Sequence, residues 1–225
     1  GSTGNPKGVE VERRNLKNLI EWQLNYYQIN ARDRASNLAR SSFDTSVSEI
    51  WPYLMAGASV YIPQERIVLN PKKMIEWLCA SRITICDMTT QLAELAVFEN
   101  WPSECSLRVL KTGGERLKKR PPAGLSFDLY NEYGPTECTV IATSGKVSPA
   151  CAGGEFPDIG VAISGNKAHI LGADLKPVAK GSEGELCISG KGVARGYIGL
   201  DEEMEERFIQ SPFDPAARMY RTGDL

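Results

Sequence analysis

The sequence predicts an α/β fold, a parallel sheet with flanking helices followed by a β-rich subdomain. Three observations predict it. Apolar residues recur at helical spacing directly after the opening glycine-rich stretch. Short apolar runs of strand length then alternate with a helical segment up to about residue 133. Beyond residue 142 the texture changes to short strands broken by frequent glycine.

Taken in order, NLKNLIEWQLNYY puts Leu16, Leu19, Ile20, Leu24 and Tyr27 on one face, which predicts a helix. GASVYIP (57–63) and RITICDM (82–88) read as short buried strands, with PKKMIEWLCAS between them as a helix opened by Pro71. LRVLKTGGE and FDLYNEYG read as two more strands, each running into polar or glycine-rich residues. Strand, helix, strand at this spacing calls for a parallel sheet, which binds ligands in the crevices outside the carboxyl ends of its strands. AHILGADLKPVAKGSEGELCISG, with turns at Gly172-Ala-Asp and Lys180-Gly-Ser, gives the β-rich part. The predicted organisation is an α/β subdomain over residues 1–141 and a β-rich subdomain over 142–225. The acidic run DEEMEER (201–207) reads as the solvated face of a short helix.

Composition narrows the partners. The 225 residues are 42% hydrophobic and 24% charged, enough to bury a sizeable core. A formal net charge of −2 supplies no positive field for nucleic acid or an anionic membrane, and no apolar run approaches the roughly 18 residues of a membrane span. Six cysteines, at 79, 86, 105, 138, 151 and 187, include no C-x-x-C pair, and His169 is the single histidine. That spacing excludes a zinc site and fits reduced core thiols in a cytoplasmic protein. A small molecule or another protein is the expected partner.

The opening GSTGNPKG has the chemistry of an anion cradle. Gly1 and Gly4 let the backbone approach, Ser2 and Thr3 carry hydroxyls, and Lys7 brings charge. Its lysine is followed by glycine at the wrong spacing for a Walker P-loop. The glycines at 190, 192 and 196 are one residue too far apart for a dinucleotide fingerprint, and no helical pattern follows them.

Five segments in fixed order carry a resemblance: STGNPKG, FDTSVSE (43–49), NEYGPTE (131–137), GELCISGKGVARGYIG (184–199) and YRTGDL (220–225). Together they resemble the core motifs of the adenylate-forming superfamily, which includes acyl-CoA synthetases and firefly luciferase. More closely, they resemble the amino-acid adenylation domains of nonribosomal peptide synthetases. The resemblance implies that superfamily's fold, with the β-rich part as a distorted barrel. It implies an internal fragment of a longer enzyme, beginning inside one motif and ending inside another. The small C-terminal lysine domain would then be absent, and the fragment alone inactive.

The resemblance also implies residue roles, ATP and Mg²⁺ as cofactors, and a phosphopantetheine thiol on a carrier domain as acceptor. Ser2, Thr3, Gly4 and Lys7 match the loop that closes over the phosphates of ATP. Tyr133 matches the aromatic that packs on adenine, with Asn131 beside the purine edge and Gly113 and Gly114 letting the backbone pass close to the nucleotide. Thr136 would contact phosphate, Glu137 would help hold Mg²⁺, and Asp224 would accept from the ribose hydroxyls. Lys7, Thr136 and Glu137 are thus the implied catalytic set. The partners implied are an amino-acid substrate and the carrier and condensation domains of the same synthetase.

Asp44 separates an amino-acid substrate from a fatty or aryl acid. In the family an aspartate here pairs with the substrate α-ammonium, and a carboxylate beside an apolar pocket is costly unless a cation meets it. The competing reading is a helix N-cap in DTSVSE with Glu49 in capping range. By motif alignment the remaining pocket positions are Thr45, Ser48, Asp87, Lys111, Gly113, Glu132, Val140 and Ile141. Two acids surround one base, which favours a basic or strongly polar substrate side chain. An acidic or amide side chain follows instead if Lys111 pairs with the substrate. The alternatives of other classes are an acyl- or aryl-CoA ligase and a non-catalytic nucleotide-binding module.

Overall fold

The computed structural model describes residues 7–149, 156–199, 204 and 206–225. The chain runs through β1 (Val9–Glu10), α1 (Arg13–Tyr26), β2 (Arg34–Ser36), α2 (Thr45–Met55) and β3 (Ser59–Tyr61). Next come α3 (Glu65–Val68), α4 (Pro71–Ala80), β4 (Ile85–Thr89), α5 (Thr90–Ala96), β5 (Val109–Gly113) and β6 (Asp128–Tyr133). A 3₁₀ turn (Thr136–Cys138) leads to β7 (Thr143–Lys146), β8 (Val161–Ala162), β9 (Asn166–Leu171), β10 (Glu185–Gly190), β11 (Gly196–Tyr197), β12 (Phe208–Gln210) and β13 (Arg218–Arg221). By compactness these divide into two units: Ile20–Tyr133 with Ser144–Gly160, and Gly1–Leu19 with Gly134–Thr143 and Val161–Leu225.

In the first of these units the sheet runs β3-β2-β4-β5-β6-β7. The pairs β2–β3, β2–β4, β4–β5 and β5–β6 are parallel, as alternating strands and helices require. The chain goes from β2 outward to β3 and then returns past β2 to β4, so the strand order reverses there. One sheet face packs Cys86, Met88, Leu110 and Leu129 against Met74, Leu78, Ala93 and Ala96 of α4 and α5. Helix α4 forms as its sequence dictates: Pro71 occupies the first turn, and the Asn70 side chain accepts from Lys73 N at 3.1 Å. Both α1 and α4 end on a non-glycine in the left-handed region, Gln28 and Arg82, each at φ 51°. Ile29 N to Leu24 O (3.0 Å) and Ile83 N to Leu78 O (2.9 Å) close these ends. Beyond α1, Arg108 clasps Asp33 with bonds of 3.0 and 2.9 Å and donates to the Tyr27 carbonyl at 2.8 Å. That clasp anchors the end of α1 to the sheet.

The other unit holds an antiparallel four-stranded sheet, β12-β13-β10-β9, and an antiparallel pair, β1-β11. The hairpin of β9 and β10 follows the two turn signals of the sequence. Its small core gathers Leu171, Cys187 and Met219. Cys79, Cys86, Cys105, Cys138 and Cys187 are free thiols. Among the described residues no helix is long and apolar enough to cross a membrane.

Some elements left no readable pattern. β2 is three residues, Arg-Ala-Ser, and is a strand because β3 and β4 pair on its two sides. α2 carries Pro52 inside the helix, α5 has only seven residues, and the pairs and short strands of the β-rich part are two to four residues long. The capping box at the start of α2 does not form. Asp44 stands in the N-cap position in right-handed helical geometry, with no side-chain capping bond. Glu49 instead points inward, accepting from Leu38 N (3.0 Å), Ala39 N (2.8 Å) and the Asn37 amide (2.6 Å).

Two glycines separate backbone conformation from crowding. Gly160 (φ +75°) and Gly181 (φ +89°) are both left-handed, but a Cβ on Gly160 would lie 2.1 Å from the Ser144 carbonyl oxygen, whereas Gly181 has nothing within 4 Å. In urea titrations Gly181→Ala should cost about 1 kcal/mol. Gly160→Ala should cost at least about 3 kcal/mol, the extra being the backbone clash.

Candidate functional site

Because strand side chains alternate, the core-facing residues of β4, β5 and β6 leave Asp87, Lys111 and Glu132 on the opposite sheet face. Asp87 is in register with Lys111 at the middle of β4 and β5, and Gly113 with Glu132 nearer the carboxyl ends of β5 and β6. Lys111 has no solvent exposure at all. Its Nζ lies 3.0 Å from Asp87 Oδ2 and donates to Gln23 Oε1 at 3.2 Å, with the Tyr27 ring centroid 5.7 Å away. Glu132 Oε1 accepts from the Tyr27 hydroxyl at 2.6 Å, and that hydroxyl lies 3.0 Å from Ser144 Oγ. Buried Glu49 and Tyr53 of α2 complete the surroundings. Three buried acids therefore face one buried base.

The charge balance follows from burial. Desolvation opposes charge on Lys111, but Asp87, Tyr53 and Glu132 together hold its ammonium well above the usual lysine range. Burial, with the Asp87 charge adding to it, lifts Glu49 to about 7, against the bonds from Leu38, Ala39 and Asn37. Burial likewise lifts Glu132 to about 7, partly offset by Lys111. Tyr27 is held well above the usual phenol range by burial and then by Glu132, so it stays a donor.

Of the other positions in this unit that the motifs assign to a substrate pocket, Ser48 is fully buried and its hydroxyl donates to the Thr45 carbonyl at 2.9 Å. Asp44 and Thr45 are half-buried at the start of α2. Gly113 is required by the neighbouring strand, since a Cβ there would lie 2.4 Å from the Glu132 carbonyl oxygen. Gly114 is required by conformation, at φ +93°. The Thr90 hydroxyl ties α5 to this turn through Gly113 O (3.0 Å) and Glu115 O (3.1 Å). Asn131 is buried with its amide donating to Asp158 O at 2.7 Å, and Tyr133 is half-buried at the end of β6.

The other unit contains the rest. After Gly134, whose missing Cβ admits Val140 O at 2.4 Å, the chain folds back on itself. Thr139 (φ 58°) and Val140 (φ 69°) take left-handed conformations that β-branched residues avoid, so this loop is strained where it carries Val140 and buried Ile141. Thr139 Oγ1 donates to Gly192 O at 2.6 Å and helps hold the loop there. Thr136 opens the 3₁₀ turn, half-buried. Glu137 Oε1 accepts from the Tyr197 hydroxyl at 2.6 Å, with the Tyr220 hydroxyl 3.3 Å further on, and Lys7 Nζ stands 5.4 Å from the Tyr197 ring centroid. Asp224 is exposed, its carbonyl accepting from Leu186 N at 2.8 Å and its N–H donating to Thr222 Oγ1 at 3.0 Å. Ser2, Thr3 and Gly4 lie outside the described residues.

Six participants carry no role in the sequence reading: Gln23, Tyr27, Glu49, Tyr53, Tyr197 and Tyr220. Gln23 lies four residues from both Leu19 and Tyr27, a polar side chain in the buried stripe of α1, which was a usable signal. Of the six, Tyr27 reads only as part of a helical face and Glu49 only as a capping residue; Tyr197 and Tyr220 lie inside motifs of the sequence, but nothing in the spacing joins them to Glu137. Among the described residues no group of three or more His, Cys, Asp or Glu forms a metal cage. A lone Glu137 carboxylate suits Mg²⁺ carried by phosphates, which needs only one or two protein ligands.

The chain is similar to known proteins throughout its length. The family described as AMP-binding enzyme matches residues 1–198. A linear gramicidin synthase protein of Brevibacillus parabrevis is 47% identical over 227 residues, which take in 100% of this chain and 3% of that protein. Surfactin synthase subunit 1 of Bacillus subtilis (strain 168) is 41% identical over 229 residues, 100% of this chain and 6% of that protein. The chain thus spans a small fraction of these relatives. A crystal structure of a four-domain nonribosomal peptide synthetase bound to AMP and glycine matches with a TM-score of 0.83 over 98% of this chain and 17% of that one. At 24% identity that likeness establishes the fold.

The buried acids set a pH dependence. Glu49 and Glu132 keep protons up to about 7 when folded, against an ordinary value of 4.5. The folded chain then binds more protons than the unfolded one across that window, so stability falls as pH rises through it. Thermal melts from pH 4.5 to 7.5 should show a loss on the order of 1–3 kcal/mol, and Glu132→Gln should flatten the decline.

Proposed function

Because the chain belongs to the AMP-binding enzyme family, we propose that it activates an amino acid as an aminoacyl-adenylate within a nonribosomal peptide synthetase. A substrate carboxylate oxygen attacks the α-phosphorus of ATP and pyrophosphate leaves. The acyl group then passes to a phosphopantetheine thiol on a carrier domain, with carrier and condensation domains as partners. The free thiols fit a cytoplasmic setting. The relatives named as linear gramicidin and surfactin synthase subunits support the reaction class.

The observation that carries the amino-acid reading is Asp44. Its carboxylate heads α2 without capping that helix, and is thereby free of the structural duty that would otherwise explain it. It is assigned to the substrate α-ammonium. Lys7, with Ser2 and Thr3 of the same loop and Thr136, is assigned to the phosphates. Tyr133 is assigned to the adenine face, Asn131 to the purine edge and Asp224 to the ribose hydroxyls. Glu137 supplies one carboxylate oxygen to Mg²⁺, which when bound neutralises charge on the phosphates. Little covalent help is asked of these residues; they orient the reactants and balance charge.

For the substrate side chain, Lys111 is engaged by Asp87 and Gln23. Glu132 is likewise engaged by the Tyr27 hydroxyl, so it is the excess of acid over base around Lys111 that supports a basic or strongly polar substrate side chain. An apolar side chain would leave these polar groups against hydrocarbon, at about 2 kcal/mol or more for each.

ATP–pyrophosphate exchange by the full-length polypeptide that contains this chain, against basic, acidic, amide and aliphatic amino acids, tests the reading. Exchange should be strongest with a basic amino acid, and Asp44→Ala should lower kcat/KM by about 100-fold or more, as loss of a buried charge partner does. Exchange with carboxylic acids lacking an amine, unaffected by Asp44→Ala, would favour an acyl- or aryl-CoA ligase instead.

A further inference from the structure

Building on the adenylation reading above, we propose that Tyr197 is a positioning residue that aims the Glu137 carboxylate at the nucleotide-borne divalent cation and seats Lys7 at the phosphates. Tyr197 is buried on β11, where Val9 of β1 pairs with it across an antiparallel ladder. Ile198 N donates to Gly8 O and Arg195 N to Glu10 O, both at 2.9 Å, so the strand that follows Lys7 is lashed to the strand that carries Tyr197. The tyrosine hydroxyl donates to Glu137 Oε1 at 2.6 Å. Ala194 N, three residues before Tyr197, donates to the Glu137 carbonyl at 2.9 Å. Glu137 is therefore held at its main chain and at one carboxylate oxygen from the same short segment. A half-buried glutamate tethered in this way gives up most of its rotamer freedom before any cation arrives.

The ring has a separate task from the hydroxyl. Lys7 Nζ stands 5.4 Å from its centroid, within cation–π range. Phe208 and Tyr220 fix the ring's own position, with Tyr197–Phe208 centroids 5.2 Å apart and Phe208–Tyr220 centroids 4.9 Å apart. One side chain thus meets both of the residues assigned to the phosphates and the metal, through its hydroxyl to Glu137 and its ring to Lys7. Tyr220, 3.3 Å from the Tyr197 hydroxyl, extends the same network to the YRTGDL segment.

The test measures binding, with no turnover. In the full-length polypeptide containing this chain, the affinity of a non-hydrolysable ATP analogue is measured with Mn²⁺, by electron paramagnetic resonance, and without metal, by calorimetry in EDTA. Tyr197→Phe keeps the ring and removes the hydroxyl. It should cut the metal-dependent gain in affinity by about tenfold, the worth of a hydrogen bond to a charged group, and leave metal-free affinity within about twofold. Tyr197→Leu should weaken metal-free binding as well, because Lys7 loses its ring. If Glu137→Gln abolishes the metal gain while Tyr197→Phe keeps it at the wild-type level, Tyr197 is core packing only and the inference is overturned. If Glu137→Gln itself keeps the gain, Glu137 is not the metal's carboxylate and the inference falls with that assignment. ATP–pyrophosphate exchange by the wild-type polypeptide reports separately on the adenylation reading.

Discussion

A lysine ammonium with no access to water must find its counter-charge inside the fold, and Lys111 finds it one strand away. The parallel register of β4 and β5 sets Asp87 beside it, and the 3.0 Å contact is what makes a fully buried lysine tolerable. Everything on that sheet face is arranged around the pair. Gln23 reaches in from α1 to accept a second hydrogen bond from the ammonium, and Tyr27, anchored through Arg108, donates to Glu132. Gly113 is small because the Glu132 strand has to come that close.

The excess of acid over base in this cluster is costly to the fold, and the raised values of Glu49 and Glu132 express that cost. Asp87, Lys111 and Glu132 line one face of β4, β5 and β6, with Glu132 near the carboxyl end of its strand. An apolar lining of the same volume would serve stability better. The strained Thr139–Val140 loop has the same character. Two β-branched residues hold left-handed backbone because Gly134, Thr139 and Gly192 leave the chain no relaxed alternative.

Much of this was legible in the residues. The helical face from Leu16 to Tyr27 became α1, Pro71 opened α4, and the apolar runs at 82–88 and 107–115 became adjacent parallel strands. These elements are long or strongly patterned enough to declare themselves locally. β2, α2 and α5 did not, because their signals are short, interrupted by proline, or created by their neighbours. The expected N-cap in DTSVSE shows how local logic is overruled. Glu49 is in range to cap the helix, but three donors following β2 offer it a better-satisfied place.

The sequence by itself determined the α/β class, the motif order and the kinds of residue at each candidate position, since periodicity, turn chemistry and motif spacing are written along the chain. It also led to the expectation that two acids and one base lie together. Only the tertiary structure decided how those charges pair, that Lys111 belongs to Asp87, Glu132 to Tyr27 and Glu137 to Tyr197. Pairing of buried groups depends on strand register and on which helix face closes over the sheet. Those are distances between residues 24 to 105 positions apart, and no local pattern encodes them.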